Sequence, residues 1–281
     1  MRKFVSLLAV AVAACAVVVA LPTDAPARRP GTSYTVLQMN LCLSGISGCF
    51  PRTAYPDVLD EAAAQVLAHE PQAVTLNEAC SGDARAMAHR TGYHLRFAAV
   101  RYGAGALSCV KPGGRGVFGI AVLTKAPIVS SRDRAFSRQA DFEERRWVCA
   151  TTTRAVTACT AHLSTRGTAD ARGANDAECR ELRGVLARYD AAGTTVFGGD
   201  VNRQRPCAPR TMWATEDTAA AQSSGIQHVY GSTTLAAPTT EVTAAVHTDH
   251  DFLLAAGRLY ARPRTAGCCR RRDQPSPRGR A

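Results

Sequence analysis

Residues 194–202 read Thr-Thr-Val-Phe-Gly-Gly-Asp-Val-Asn, an apolar and β-branched run that ends in two glycines and two polar residues. Such side chains favour a strand, and the polar pair marks its carboxyl end. Asp200 and Asn202 are two residues apart, so we predict that both project to the same side of a sheet rim. Gly198 and Gly199 would let another backbone approach closely. The stretch therefore predicts a buried strand that presents reactive side chains at its end.

The same arrangement recurs along the chain. Asn40, Glu78 and His162 each end an apolar run, and Asp249-His250 directly precede one. Side chains on rigid strand ends are well positioned for binding and chemistry. We therefore expect these polar residues to gather at one rim of the fold.

Strands outnumber helices in the predicted element order. Apolar residues recur at helical spacing in three segments, 56–70, 81–90 and 169–189. The predicted strands cover residues 34–40, 73–78, 93–101, 118–124, 146–153, 155–162, 194–200, 226–230 and 252–256. Several strands follow one another directly, which indicates two packed sheets flanked by helices and not one doubly wound sheet. No internal repeat or linker interrupts the pattern, so we predict one α/β (α+β) domain.

The polar strand ends lie in six short motifs. They are Leu37-Gln-Met-Asn40, Leu76-Asn-Glu78, Gly116-Val-Phe-Gly-Ile-Ala-Val-Leu-Thr-Lys125, Thr160-Ala-His162-Leu163, Gly198-Gly-Asp200-Val-Asn202 and Thr248-Asp249-His250. In this order and spacing the chain resembles the endonuclease/exonuclease/phosphatase superfamily over about residues 34–256. The resemblance implies the deoxyribonuclease I-like fold, a four-layer sandwich of two mostly antiparallel sheets flanked by helices. It also implies a metal-dependent phosphoric ester hydrolase.

The resemblance assigns site residues as well. The positions that match the family's catalytic groups are His162, Asp200, Asn202 and His250. Those that match its metal ligands are Asn40, Glu78 and Asp249, although Asp249 could instead support the first histidine, His162. Carboxylate and amide oxygens suit Mg²⁺ or Mn²⁺ and form a poor zinc site. Imidazole titrates near neutrality, which makes the two histidines the acid–base candidates.

Gln227 departs from the family's pattern. Many relatives have an aspartate at the matching position, where it orients the last catalytic histidine. We expect Gln227 to orient His250 with its amide, which carries no charge and would raise the pKa of the ring less. Alternatively, Asp217 or Asp251 takes over the role of the missing acid.

The charge of the chain favours an anionic substrate. There are 34 Lys and Arg against 23 Asp and Glu, a formal net charge of +11. Much of this excess lies in the last twenty residues, so the rest of the chain has a mild basic bias that does not by itself identify nucleic acid. Arg145 or Arg146, at the start of a predicted hairpin, is expected to contact a substrate phosphate.

The two termini have compositions of their own. Residues 1–27 combine a basic start, an apolar run and Ala25-Pro26-Ala27, which predicts a signal peptide and secretion. An uncleaved anchor or a lipidated Cys15 is the alternative. The predicted domain is 28–261, without stable membrane insertion once the signal is cleaved, and residues 262–281 are predicted to be a disordered basic tail.

Cysteine usage agrees with an oxidising compartment. Beyond Cys15 there are ten cysteines, at positions 42, 49, 80, 109, 149, 159, 179, 207, 268 and 269. An even number behind an export signal predicts disulfides, at least three of them. Cys42 with Cys49, and Cys149 with Cys159 across a hairpin, are plausible local pairs. The sequence does not fix the rest.

The predicted function is an extracellular nuclease, that is, a secreted phosphodiesterase that requires Mg²⁺ or Mn²⁺. A sphingomyelinase-like phospholipase or another hydrolase of small phosphoesters is the alternative within the fold, and a non-catalytic binding protein is the third. A phospholipase should have an exposed aromatic hairpin for membrane entry. Residues 232–246 contain no aromatic side chain, which weighs against it. We favour nucleic acid as the partner of a monomer that has no obligate protein partner.

Overall fold

The computed structural model describes residues 31–236 and 238–259. The predicted signal peptide with Cys15, the basic tail at 262–281 and the pair Cys268-Cys269 lie outside the described residues. Among the residues that are described, no helix is long and apolar enough to cross a bilayer.

Strands and three helices alternate through this part of the chain. The strands are β1 (Thr32–Asn40), β2 (Ala73–Cys80), β3 (His94–Ala99), β4 (Arg101–Tyr102), β5 (Gly105–Ala106), β6 (Phe118–Thr124), β7 (Ile128–Ala135), β8 (Arg146–Thr152), β9 (Val156–His162), β10 (Thr194–Asp200), β11 (Met212–Glu216), β12 (Gln227–Ser232), β13 (Thr239–Thr243) and β14 (Phe252–Leu259). The helices are α1 (Asp57–His69), α2 (Ser81–Thr91) and α3 (Ala169–Ala192). A single 3₁₀ turn, Phe50–Thr53, precedes α1.

Two six-stranded sheets form the centre of the molecule. The first has the strand order β13-β14-β1-β2-β6-β3 and the second has the order β11-β12-β10-β9-β8-β7. Most neighbours are antiparallel, but β1 and β2 are parallel, and so are β9 and β10. The predicted pair of mostly antiparallel sheets flanked by helices is confirmed.

Alternation along the central strands creates three apolar layers. On β1, Leu37 packs with residues of α1 and α2, whereas Val36 packs between the two sheets. On β10, Val196 faces the other sheet and Phe197 packs with residues of α3. Every residue of β10 is buried. A strand covered on both faces reads as a continuous apolar run, which is why residues 194–200 were recognisable from sequence.

Three of the strands that were not predicted lie at sheet edges. They are β7, β11 and β13, which are each the outermost strand of a sheet. Residues at 129–132 of β7 and 239–241 of β13 are exposed. Edge strands carry polar side chains and lack the apolar run of a central strand. The prediction omitted them for this reason.

The strand register brings the polar ends together. Asp200 lies opposite His162 on the parallel neighbour β9 and opposite Gln227 on β12. Asn40 lies opposite Asn77 on the parallel neighbour β2. Parallel strands end at the same rim, so β1, β2, β9 and β10 deliver their carboxyl ends to one side of the sandwich.

Four disulfides connect the described cysteines. They are Cys42–Cys49, Cys80–Cys109, Cys149–Cys159 and Cys179–Cys207. The two local pairs that the sequence analysis considered plausible are confirmed. The other two bridges span 29 and 28 residues. By the chain-entropy estimate, loops of this length each add about 3–4 kcal/mol to the free energy of unfolding.

Arg115 is a buried cation that holds three segments together. Its guanidinium donates to Asp83 Oδ2 at 2.7 Å, to the carbonyl of Leu43 at 2.8 Å and to that of Val110 at 2.5 Å. Its Cζ also lies 4.5 Å from the ring centroid of Tyr55. Burial raises the pKa of Asp83, and the hydrogen bond and charge of Arg115 counteract that rise. The pair thus fixes the loop after β1 against α2 and the loop between β5 and β6.

We expect Arg115→Met to lower the free energy of unfolding by about 3–5 kcal/mol, because it leaves the Asp83 carboxylate buried without its cation. Urea denaturation of both proteins measures the difference. In the double variant Asp83→Asn/Arg115→Met the loss should be smaller than the sum of the two single losses. Strictly additive losses would contradict the pairing.

Candidate active site

A pocket of about 440 Å³ opens at the rim where the parallel strands end. Six of the candidate residues from the sequence line it together, and they are Glu78, Arg145, His162, Asp200, Asn202 and His250. Each comes from a strand end or from the turn beside one. These groups lie together at one rim of the fold, as predicted.

Asp200 is the hub of the hydrogen bonds in the pocket. It accepts from Asn40 Nδ2 at 3.0 Å and from the backbone N–H of Asn202 at 2.9 Å, and His250 Nε2 lies 3.2 Å away. Burial alone would raise the pKa of this carboxyl, but the hydrogen bonds and positive charge around it lower the pKa to about 2. Asp200 is therefore an oriented carboxylate at neutral pH.

His250 lies between two carboxylates. Its Nδ1 is 2.9 Å from Asp249 Oδ1, and its Nε2 faces Asp200. Burial would lower the pKa of the ring, yet these two acids raise it to about 10. His250 therefore carries a positive charge at neutral pH. Asp249, which was predicted to bind the metal or to support His162, instead lies against the other histidine, His250.

The expectation that Gln227 orients His250 is wrong. The Gln227 amide donates to the carbonyl of Asp251 at 2.5 Å and to Asp217 Oδ2 at 3.4 Å, and its oxygen accepts from Gln38. The substitutes Asp217 and Asp251 do not contact the ring either. Asp251 accepts from the backbone N–H groups of residues 221 and 245. Asp249, next to the histidine in sequence, supplies the charge instead.

Asp217 is a buried acid whose ionisation costs stability. Burial raises its pKa to about 6, although hydrogen bonds from Gln227 oppose the rise. A carboxyl whose pKa is higher in the folded state makes stability fall as the pH rises from about 4 to about 6. We expect Asp217→Asn to raise the free energy of unfolding at pH 7 by on the order of 1 kcal/mol, with little gain near pH 4.

Melting curves between pH 4.5 and pH 7.5 test this. A gain of 1 kcal/mol corresponds to about 2–4 °C for a chain of this size. Glu241→Gln, which removes an exposed acid from β13, is the matched control and should stay unchanged. A pH-independent difference between Asp217→Asn and the parent would contradict the assignment.

His162 is held as a neutral ring. Arg145 Nη1 lies 2.9 Å from its Nδ1 and Asn202 Nδ2 lies 3.2 Å from its Nε2, and because both groups can only donate, each ring nitrogen faces a donor. Burial and the charge of Arg145 lower the pKa of His162 to about 3. Its Nε2 faces Glu78 and Asp200, each at 3.9 Å. The two histidines of the site thus have different protonation states at neutral pH.

The two candidate phosphate-binding arginines point in different directions. Arg145 lines the pocket and pairs with Glu143 at 2.7 Å. Arg146 instead pairs with Asp133 at 2.8 Å and with Glu144 at 3.2 Å, so Arg145 is the one placed to meet a phosphate. Glu143, which was not predicted, also lines the pocket. Three acids precede these arginines, and nothing in the sequence distinguishes them.

Glu78 has the environment of a ligand for a hard cation. It is a non-glycine residue with φ +52°, a strained conformation of the kind found at functional sites. Burial and the charge of Glu143 raise the pKa of its carboxyl to about 7, and Asn40 Nδ2 donates to it at 3.1 Å. Asn40 thus turns its NH₂ group to Glu78 and Asp200, and its oxygen accepts from a backbone N–H. These crowded carboxylate oxygens fit Mg²⁺ or Mn²⁺.

Comparisons with known proteins agree with this fold. A sequence profile described as Endonuclease/Exonuclease/phosphatase family matches residues 46–250. No curated protein sequence is significantly similar. An endonuclease/exonuclease/phosphatase from Beutenbergia cavernae DSM 12333 has a similar structure, with a TM-score of 0.62 and 18% identity, over 82% of this chain and 72% of that one.

Two further solved structures are similar in fold. The catalytic domain of human nocturnin, solved with a bound sulfate anion, gives a TM-score of 0.61 at 14% identity, over 84% of this chain and 95% of that one. The endonuclease/exonuclease/phosphatase from Bacteroides vulgatus gives 0.61 at 13% identity, over 81% of this chain and 99% of that one.

Proposed function

Because the chain belongs to the endonuclease/exonuclease/phosphatase family, we propose that it is a secreted phosphodiesterase that cleaves nucleic acid with the help of Mg²⁺ or Mn²⁺. The observation that carries this proposal is the pocket itself. It combines the carboxylates of Glu78 and Asp200 with the charged His250 and the neutral His162. A protein that only binds a ligand would not need acids and bases in such separate protonation states.

Hydrolysis of a phosphodiester needs an oriented water on one side of phosphorus and positive charge around the equatorial oxygens. Asp200 orients the water, because its carboxylate is ionised and fixed by three hydrogen-bonding groups. His250 and Arg145 supply positive charge beside the phosphate. His162 and Asn202 line the pocket beside this phosphate.

Glu78, with Asp200 beside it, would hold the metal ion, and Asn40 positions both carboxylates. A bound divalent ion supplies Lewis-acid stabilisation of the phosphoryl oxygens. The donor set suits a hard ion, because it is made of carboxylates and contains no thiolate.

Secretion is part of the proposal. Four disulfides connect the described cysteines, and such bridges persist in oxidising compartments. The signal-like segment at 1–27 supports the same compartment.

Lipid phosphodiesters are the second candidate substrate. Phe142 is 77% exposed and lies beside Tyr102, which lines the pocket. Membrane entry would require exposed aromatic side chains at the mouth of the pocket. Residues 232–246 contain none, whereas Tyr102 and Phe142 form such a pair.

A substrate panel tests the proposed function. Plasmid DNA, RNA, sphingomyelin vesicles and the small diester methyl p-nitrophenyl phosphate are each incubated with the exported protein and Mg²⁺, with His250→Ala as the blank. We expect turnover of nucleic acid and, slowly, of the small diester. The absence of turnover on all four substrates would contradict the proposal, and turnover of sphingomyelin alone would favour the second candidate.

A further inference from the structure

An exposed aromatic pair borders one side of the catalytic pocket. Tyr102 is 44% exposed and Phe142 is 77% exposed, and their ring centroids are 6.3 Å apart. They are the only aromatic members of the large exposed side chains in the part of the chain that the structure describes. Two adjacent aromatic side chains are therefore exposed to water, which is unfavourable for apolar surfaces of this size.

The backbone ties this pair to the catalytic residues. The N–H of Gly103 donates to the carbonyl of Phe142 at 2.8 Å, and the N–H of Glu144 donates to that of Arg101 at 2.8 Å. Phe142 also directly precedes Glu143, which lines the pocket and pairs with Arg145. These contacts attach the aromatic pair to the rim of the pocket.

A basic cleft of about 370 Å³ borders the other side. It shares Asn202 and Ile226 with the catalytic pocket and is otherwise lined by Arg166, Arg203, Gln204 and Arg205. Arg166 and Arg203 both donate to Asp176 at 2.8 Å, so one carboxylate serves two cations. Arg205 is exposed and has no ion pair among the described residues. The cleft therefore keeps positive charge in excess.

Strand order places the two features on opposite flanks. Tyr102 lies in β4, directly after β3, and Phe142 lies between β7 and β8. The aromatic pair is therefore towards the β7 edge of the second sheet. The arginine cleft lies in the turns after β10 and before β12, towards the β11 edge. His162 and Asp200, on the strands between, occupy the middle. A ligand that touches both flanks must cross the catalytic pocket.

We propose that the pocket takes a single strand of nucleic acid, with an unpaired base stacked on Phe142 and Tyr102 and the neighbouring phosphates over Arg203 and Arg205. This inference rests on the proposed function and specifies its substrate. A base in a duplex has both faces covered, whereas an unpaired base can stack on an aromatic side chain. The arginines on the far flank then meet the backbone of the same strand.

The surroundings favour a strand over a lipid surface. A lipid headgroup carries its phosphodiester at the catalytic centre and leaves the arginine cleft without a partner. Exposed Asp141 adjoins Phe142 and would have to enter the headgroup region along with it. Stacking on a neutral base avoids the cost of bringing the charge of Asp141 into the headgroup region.

The test compares kcat/KM of the full exported protein on a 20-nucleotide oligothymidylate, a 20-base-pair duplex and methyl p-nitrophenyl phosphate, with Mg²⁺. The single strand should be cleaved more efficiently than the duplex. Phe142→Leu keeps the apolar surface but loses the π face, and it should lower kcat/KM on the strand about tenfold relative to the small diester. Phe142→Trp should restore it. Arg205→Ala should reduce the slope of log KM against log salt concentration by about 0.7.

Matched controls lie elsewhere on the surface. Leu67→Ala removes an exposed apolar side chain, and Arg188→Ala removes an exposed arginine that lines another cleft. Neither should change any of these ratios. Equal rates on strand and duplex, or equal effects of Phe142→Leu and Leu67→Ala, would overturn the inference. Turnover of the small diester in the same experiment would leave the proposed function intact. If Phe142→Leu matches the parent and phosphatidylcholine vesicles containing sphingomyelin are hydrolysed instead, the rim is a lipid surface and the inference fails.

Discussion

The Asp200→Asn variant is expected to lose about three to four orders of magnitude in kcat/KM on any phosphodiester that the parent cleaves. Asp200 is the shared acceptor for Asn40, the backbone of Asn202 and His250. An amide in its place cannot carry the charge that holds His250 protonated. The same change therefore removes the oriented carboxylate and weakens the neighbouring cation.

Two measurements separate this catalytic loss from a folding defect. The thermal unfolding of Asp200→Asn should remain cooperative, and the pKa of His250, which is raised to about 10 in the parent, should fall when followed by NMR. Asp60→Asn, which removes an exposed acid paired only with Arg90 on the surface, is the matched control. Activity within tenfold of the parent would mean that Asp200 does not orient the water.

Glu78→Gln is the second variant with a large expected effect. Loss of the metal's Lewis-acid stabilisation, worth several kcal/mol, corresponds to about a thousandfold loss in kcat/KM. Chelation of the parent should abolish turnover, and added Mg²⁺ or Mn²⁺ should restore it. Glutamine keeps the size of the side chain and its contact with Asn40 but lacks the charge that attracts a hard cation.

Metal binding can be measured without turnover. An ion that binds only the folded protein raises its melting temperature, and the gain grows with the logarithm of the ion concentration above Kd, so Mg²⁺ should stabilise the parent and leave Glu78→Gln unaffected. Glu241→Gln should respond to Mg²⁺ as the parent does. Full activity in excess chelator, or an unchanged Mg²⁺ response in Glu78→Gln, would contradict Glu78 as a metal ligand.

Among the site residues, local sequence identified those that end buried strands. Asn40, Glu78, His162 and Asp200 each follow an apolar run, because a strand covered on both faces must be apolar until it reaches the rim. The turn after β10 added Asn202 in the same way. The two local disulfides were also predictable, since their cysteines are separated by seven and ten residues.

Which groups contact one another was decided by tertiary structure. Arg145 and Arg146 are neighbours in sequence, yet only Arg145 lines the pocket, because successive side chains of an extended segment point to opposite faces. Glu143 became recognisable only through its position beside Arg145. Likewise the bridges Cys80–Cys109 and Cys179–Cys207 join segments that only the folded sheets bring together.

The sequence by itself thus determined the fold and the residues at the reactive rim, since burial and strand ends leave a periodic, local signal. The hydrogen-bond partners of His250 were decided by the tertiary structure. The resemblance to the family implied Gln227, but its amide bonds to Gln38, Asp217 and the carbonyl of Asp251, and Asp200 and Asp249 surround the imidazole instead. Hydrogen bonds are directional and short-ranged, so a pairing within a pocket depends on side-chain positions that no one-dimensional spacing contains.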